Sequence, residues 1–238
     1  MPRRDGSPPP APPLALRRVE RSPEPGGTER VSLVTDAGSV ACRFHAPAGG
    51  GGDAAVLWVF GSGGGLGGPA GGVYTRLGGR LRGAGVASLE LDYRRPGRLA
   101  ECVADVTLGI AWLLEQGRQR VVLVGHSFGG AVVIAAGAAN DTVAAVAALS
   151  GQTAGTGAVG ALRPRPVLFA HGTADEILPD ACSRDLYARA GEPKQLVLYP
   201  GCRHGLDECR DTLDRDLTAW LDWVIQGGAR GPAPRLSG

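Results

Sequence analysis

The chain has 238 residues, of which 43% are hydrophobic and 20% charged, with a formal net charge of +2. Such a length and composition suit one α/β domain that buries its core without help from metals or disulfides. The small charge, without a long basic run, excludes a nucleic-acid footprint, and no run of about 20 apolar residues is present to span a membrane.

Residues 1–27 are rich in Pro, Arg and Gly, show little apolar periodicity, and read as a disordered arm. No apolar h-region follows the first arginines, so no secretion signal is expected and the setting is expected to be cytoplasmic. Residues 28–226 read as one folded domain. ERVSLVTDAGSVACRFHAP predicts two short strands around a turn at 36–38. AAVLWVF (54–60) is a continuous apolar run, as in a strand covered on both faces. A glycine-rich loop, GSGGGLGGPAGG, leads into a helical stretch at 73–85, and VASLELDY (86–93) reads as a strand. Over 98–117, Leu99, Val103, Val106, Ile110, Leu113 and Leu114 share one helical stripe. RVVLVGHS is a strand and FGGAVVIAAGAAN a helix. Strands follow at 143–150 and 165–172, then the helix LPDACSRDLYARAG, the strand KQLVLYPG and a last helix over 206–227. The tail at 227–238 has the composition of the arm and reads as disordered.

Strand and helix alternate, and the middle strands are apolar on both faces. That pattern predicts a mainly parallel sheet with helices on both sides, the first hairpin adding antiparallel strands at one edge. Functional groups in such sheets gather at the carboxyl ends of the strands.

Residues 121–130 read VVLVGHSFGG, and Gly125 to Gly129 form G-x-S-x-G between a predicted strand and a predicted helix. The bare pattern is weak in a chain with 39 glycines; the strand–turn–helix context makes it informative. Glycines at both flanks relieve the crowding of a sharp turn, Ser127 projects from the top of the sheet, and the amides of the following helix favour negative charge there. A serine nucleophile needs a base, and the base needs an orienting acid. His45 lies in the first hairpin, His126 is the neighbour of Ser127, and His171 ends a strand. His204, in the loop YPGCRHG after the last strand, is the expected base. HGTADEILP supplies Asp175 as the expected acid, with Glu176 and Asp180 as rivals and Asp207 as a weaker one that caps the last helix. His171 is expected to brace the loop that presents Asp175. The five cysteines include no CxxC pair and are expected as reduced thiols. Cys202, His204 and Cys209 provide only three ligands without zinc-finger spacing, so no metal site is expected.

These motifs resemble the α/β-hydrolase family. GHSFGG is similar to its nucleophile elbow, HGTAD to its acid loop and GCRHG to its histidine loop, in the order Ser, Asp, His. The likeness covers roughly 30–226 and is nearest to small dienelactone-hydrolase-like or serine-aminopeptidase-like members, the segment DYRRPG included. It implies an α/β-hydrolase fold and a serine hydrolase that acts on a small ester-like molecule without metal or organic cofactor. Carboxylic esters and thioesters are the implied substrates, with amides as a further class. FGSGGG (60–65) is similar to the HGxG oxyanion loop, with Phe60 where histidine is usual. On that likeness the backbone N–H groups of Ser62 and Phe128 are the expected oxyanion donors. The loop lacks the GK[ST] ending of a phosphate cradle. The family often inserts a lid before the acid strand. Here that segment, 151–165, is short and poor in apolar residues, so little or no lid and an open site are expected. An acyltransferase using the same residues and a catalytically silent binding protein are the alternatives.

Overall fold

Successive side chains of a strand point to opposite faces of its sheet, so an unbroken apolar strand feeds two cores. The computed structural model, which describes residues 13–227 and 232–237, is built on that division. In β4 (Ala54–Val59), Ala55, Leu57 and Val59 join one core, and Ala54, Val56 and Trp58 join the other. In β6 (Arg120–His126), Val121 and Leu123 divide in the same way from Val122 and Val124.

The remaining strands are β1 (Leu16–Glu24), β2 (Thr28–Thr35), β3 (Gly38–His45), β5 (Ala87–Asp92), β7 (Val143–Leu149), β8 (Val167–Gly172) and β9 (Lys194–Tyr199). Among the described residues they form one sheet in the order β1-β2-β3-β5-β4-β6-β7-β8-β9. Pairing is parallel from β5 to β9 and antiparallel from β1 to β5, which matches the expected architecture. Helices α2 (Leu99–Glu115), α3 (Phe128–Ala138) and α4 (Ala181–Arg189) bury their apolar sides in the first core. Helices α1 (Pro69–Gly83) and α5 (Arg210–Ile225) bury theirs in the second. From β4 the chain crosses to β5 on one side and then to β6 on the other. The loops leaving β4 and β6 therefore diverge at their carboxyl ends and leave a crevice there, the usual place for a site in an open α/β sheet.

Three expectations need correction. Residues 16–24, read as part of a disordered arm over 1–27, form β1 and pair with β2 from Leu16↔Thr35 to Glu24↔Thr28; residues 1–12 lie outside the described part. The strand escaped notice because it is an edge strand, exposed at most positions, whose Leu16 and Val19 alone reach the core. Arg21 adds a cation over the rings of Phe44 and Trp112, at 5.8 and 5.9 Å. In the tail, read as disordered over 227–238, residues 232–237 lie against β9 and α5. Gln195 Nε2 donates to Pro234 O, Ser237 N donates to Asp216 Oδ2, and Leu236 packs on the second core. Finally, Cys202 and Cys209, expected as reduced thiols, are joined in a disulfide.

Deleting residues 1–24 removes β1 and uncovers the edge of β2. The lost apolar contacts are worth about 1–2 kcal/mol, and a chain of this size loses about 2–4 °C per kcal/mol. Calorimetry is expected to show a drop of about 2–8 °C; an unchanged melting temperature would mean that β1 contributes nothing to stability.

Candidate active site

The turn from β6 into α3 leaves almost no room between backbones. A Cβ at Gly125 would collide with the carbonyl of Gly129, and one at Gly129 with the carbonyl of Phe60 at the end of β4. Between them Ser127 adopts φ 56° and ψ −121°, a conformation that costs a non-glycine residue on the order of 1–3 kcal/mol. It is held by its N–H to Leu149 O (2.8 Å) and by its carbonyl, which accepts from Gly130 N (3.0 Å) and Gln152 N (3.4 Å). Phe128 opens α3, so its N–H has no carbonyl of the helix to bond.

Three residues from separate loops meet here. Ser127 Oγ lies 3.0 Å from His204 Nε2, and His204 Nδ1 lies 2.7 Å from Asp175 Oδ2. A carboxylate only accepts, so His204 Nδ1 carries the proton and the bare Nε2 accepts from the serine hydroxyl. The second oxygen of Asp175 accepts from the amides of Ile177 (2.9 Å) and Leu178 (2.8 Å). His171, fully buried, donates from Nε2 to Asp175 Oδ2 and Leu178 O, both at 3.0 Å, while its Nδ1 accepts from Ser183 Oγ at 2.7 Å. This is the bracing part expected of it. Burial pushes the Asp175 carboxyl up, but the Leu178 amide, His204 and the Ile177 amide together hold it below the ordinary range. It is therefore an anion at neutral pH. Glu176 and Asp180 lie on the same loop; Asp180 pairs with Arg184 instead, at 3.0 Å. Asp207 starts the short turn before α5.

The glycine loop after β4 runs beside the serine. A Cβ at Gly61 would sit 3.5 Å from Ser127 Cβ and 3.9 Å from its Oγ, so the backbone of Gly61 borders Ser127. Phe60, which stands where a histidine would brace this loop, packs its ring near those of His126 and Tyr74, at 5.3 and 6.5 Å. The bracing comes instead from two acids of β5 that sequence reasoning missed. Gly65 N donates to Asp92 Oδ1 and Gly67 N to Glu90 Oε2, each at 2.6 Å. Glu90, wholly buried, also accepts from His45 Nε2 (2.8 Å) and Thr75 Oγ1 (3.0 Å). Burial raises its carboxyl, and the bonds from His45, Gly67 and Thr75 outweigh that and keep it below the ordinary range. The signal was present in VASLELDY, where a lone glutamate interrupts a strand whose faces are both covered. Unpaired, such a charge would be expensive.

The histidine loop is tied on both sides of residue 204. Cys202 O accepts from Ala174 N of the acid loop (2.9 Å), and Gly205 O accepts from Ala70 N at the start of α1 (2.7 Å). The Cys202–Cys209 disulfide closes the same loop with its Cα atoms 5.9 Å apart, engaging both sulfurs of the metal alternative. In the segment 151–165, Val159 and Leu162 are buried in the first core, and nothing apolar of that size is left to line the site.

A family model described as dienelactone hydrolase family matches residues 88–221. Among curated proteins, YfhR of Escherichia coli (strain K12) is 32% identical over 109 residues, covering 36% of this chain and 38% of YfhR. Rv2307c of Mycobacterium tuberculosis (strain ATCC 25618 / H37Rv) is 30% identical over 163 residues, covering 55% of this chain and 57% of Rv2307c. The chain thus spans 38% and 57% of the lengths of these two relatives. Among solved structures, the esterase domain of a Rhodothermus marinus protein is 21% identical with a TM-score of 0.66, covering 81% of this chain and 97% of that one. Thermogutta terrifontis esterase 2 is 20% identical with a TM-score of 0.68, covering 88% and 98%. An alpha-beta serine hydrolase homologue from Coxiella burnetii is 18% identical with a TM-score of 0.63, covering 85% and 98%. The similarity to these structures shows the α/β-hydrolase fold.

The tight turn can be tested by stability alone. Gly129→Ala forces α3 and β4 apart, and such overpacking costs about 1–3 kcal/mol, or about 2–12 °C of melting temperature at this chain length. Gly79→Ala, in α1 with open space where the Cβ goes, is expected to leave the melting temperature unchanged or raise it. Equal melting temperatures for the two variants would contradict the packing described here.

Proposed function

The chain belongs to the dienelactone hydrolase family, and on that premise we propose that it cleaves carboxylic esters or thioesters of modest size, amides being a further class, with Ser127 as nucleophile. The observation that carries the reading is the unbroken run of hydrogen bonds from Ser127 through His204 to an ionised Asp175. His204 takes the hydroxyl proton at Nε2 as Ser127 Oγ attacks the substrate carbonyl carbon. The resulting imidazolium is stabilised by Asp175, which accepts its Nδ1 proton in a hydrogen bond and does not itself become protonated. The carbonyl oxygen gains the negative charge beside the N–H groups of Ser62 and Phe128. Donors of this kind lower the barrier by about 3–4 kcal/mol each. His204 returns the proton to the departing alcohol or thiol. Water, activated by the same His204, then releases the acyl group from Ser127.

No metal or organic cofactor enters these steps. The partner is a small ester-like molecule. Among the described residues no helix is long and apolar enough to cross a membrane. A cytoplasmic setting is part of the proposal, and the Cys202–Cys209 disulfide is the observation that stands against it, because such bonds persist mainly in oxidising compartments.

Replacing Ser127 by Ala is expected to cut ester turnover by on the order of 10⁴- to 10⁶-fold while leaving the melting temperature near that of the wild type. Asp175→Asn is expected to cost about 10⁴-fold, against less than about tenfold for Asp207→Asn. Near-normal turnover in Ser127→Ala would end the mechanism, and a larger loss at Asp207 would move the acid.

Substrate size follows from the segment 151–165. Each buried methylene adds about 0.8 kcal/mol, but only where a wall exists to bury it, and Val159 and Leu162 face the core. In a series of p-nitrophenyl esters kept monomeric, kcat/KM is expected to rise over the first few acyl carbons and then flatten or fall. A steady rise to twelve or sixteen carbons would reveal an apolar channel that this reading denies.

A further inference from the structure

His126 precedes the nucleophile and is almost wholly buried, at 4% exposure. Its Nε2 lies 2.9 Å from the backbone carbonyl of His204. A carbonyl only accepts, so Nε2 carries the proton, and a neutral ring then leaves Nδ1 bare. That nitrogen is buried without a hydrogen-bond partner, and a Cβ on Gly61 would sit 3.9 Å from it. The His126 ring also packs against that of His204 (4.8 Å, tilted 52°) and that of Phe60 (5.3 Å, tilted 37°). One side chain therefore touches the base, the backbone that holds the base, and the end of β4 from which the glycine loop departs. The ties at Cys202 and Gly205 flank residue 204, whereas the bond from His126 falls on residue 204 itself.

Resting on the reading of Ser127 and His204 as nucleophile and base, we propose that His126 is a positioning residue: its neutral imidazole fixes His204 by donating Nε2–H to the His204 carbonyl. The charge state matters as well as the bond. Around His126 stand His204, Asp175 and His171. A cation on His126 would oppose the proton that His204 must accept during attack. Burial, ahead of the opposing effect of the bond to His204 O, holds His126 down at about 4, so the ring stays neutral while His204 works. An imidazole with one bonded and one bare nitrogen, held out of water, is costly to keep. A lone phenyl ring would fill the same space more cheaply, which points to the N–H as the feature in use.

The test compares His126→Phe, which keeps the ring and removes the donor, with His126→Gln, whose amide nitrogen reaches the position of Nε2. A third variant, His126→Asn, carries an amide too short to reach. The readouts are kcat and KM for a short p-nitrophenyl ester and the melting temperature. Misplacing a reacting group by about 1 Å costs roughly 10²-fold. His126→Phe and His126→Asn are therefore expected to lose about 10- to 100-fold in kcat with KM within about twofold of wild type, whereas His126→Gln retains kcat within about fivefold. The inference is overturned if His126→Phe keeps kcat within about twofold of wild type, or if His126→Gln falls as far as His126→Phe. Should His126→Phe fail to fold, the Gln and Asn variants decide between them: a kcat clearly higher in His126→Gln than in His126→Asn supports the inference, and equal or reversed values overturn it. A wild-type chain that turns over no ester at all would instead fail the reading of Ser127, whatever the variants do.

Discussion

The first turn of α3 presses against the ends of β4 and β6, and that close approach is the constraint on which the site depends. Gly129 meets the Phe60 carbonyl, and Gly125 meets Gly129, with no space for a side chain at either. The approach forces Ser127 into positive φ, lifts its hydroxyl out of the sheet, and leaves the Phe128 amide free at the helix start. It also draws the glycine loop alongside. The strain at Ser127 is offset by packing, since α3 is a helix of small and branched apolar residues, with Ala131, Val132, Val133, Ile134 and Ala136 all buried. Widening the gap by one methyl group would disturb Ser127, the start of α3 and the glycine loop together.

The second condition is electrostatic. Buried carboxylates survive only when donors surround them. Asp175 receives two amides and two imidazoles, so its oxygens have no freedom to turn away from His204. Glu90 plays the same part for the glycine loop, fed by His45, Thr75 and the Gly67 amide. This arrangement shows how the loop keeps its shape with Phe60 in place of a histidine. The brace is moved one strand over, onto acids whose charge the surrounding donors hold.

Much of this was legible because local chemistry announced it. The elbow could be read because its two glycines and its serine fall within five residues, between a strand and a helix that are each legible on their own. His204 and Asp175 could be named because each lies in a loop at the carboxyl end of a strand, and the fold brings His204 within hydrogen-bond reach of both Ser127 and Asp175. The parts that escaped depend on distant partners. The lone Glu90 of a covered strand was visible in the sequence, but its partner His45, 45 residues away, is identified only when β3 and β5 pair. Edge strand β1 hides behind prolines and arginines, and its few apolar side chains make sense only beside β2. The tail residues 232–237 take their place from Gln195 and Asp216, again by contacts no local pattern encodes. The pairing of Cys202 with Cys209 follows from the bend of the histidine loop, which brings the two sulfurs together.

The central claim is that Ser127 is an activated nucleophile, and chemical capture addresses it most directly. A fluorophosphonate probe reacts with a serine whose proton an adjacent base removes, and leaves a stable adduct on that oxygen. After incubation with the native chain, digestion and mass spectrometry, the account predicts a single adduct, on the peptide that carries Ser127. Ester hydrolysis that continues without any adduct, or an adduct on another serine while Ser127 stays unmodified, would contradict it.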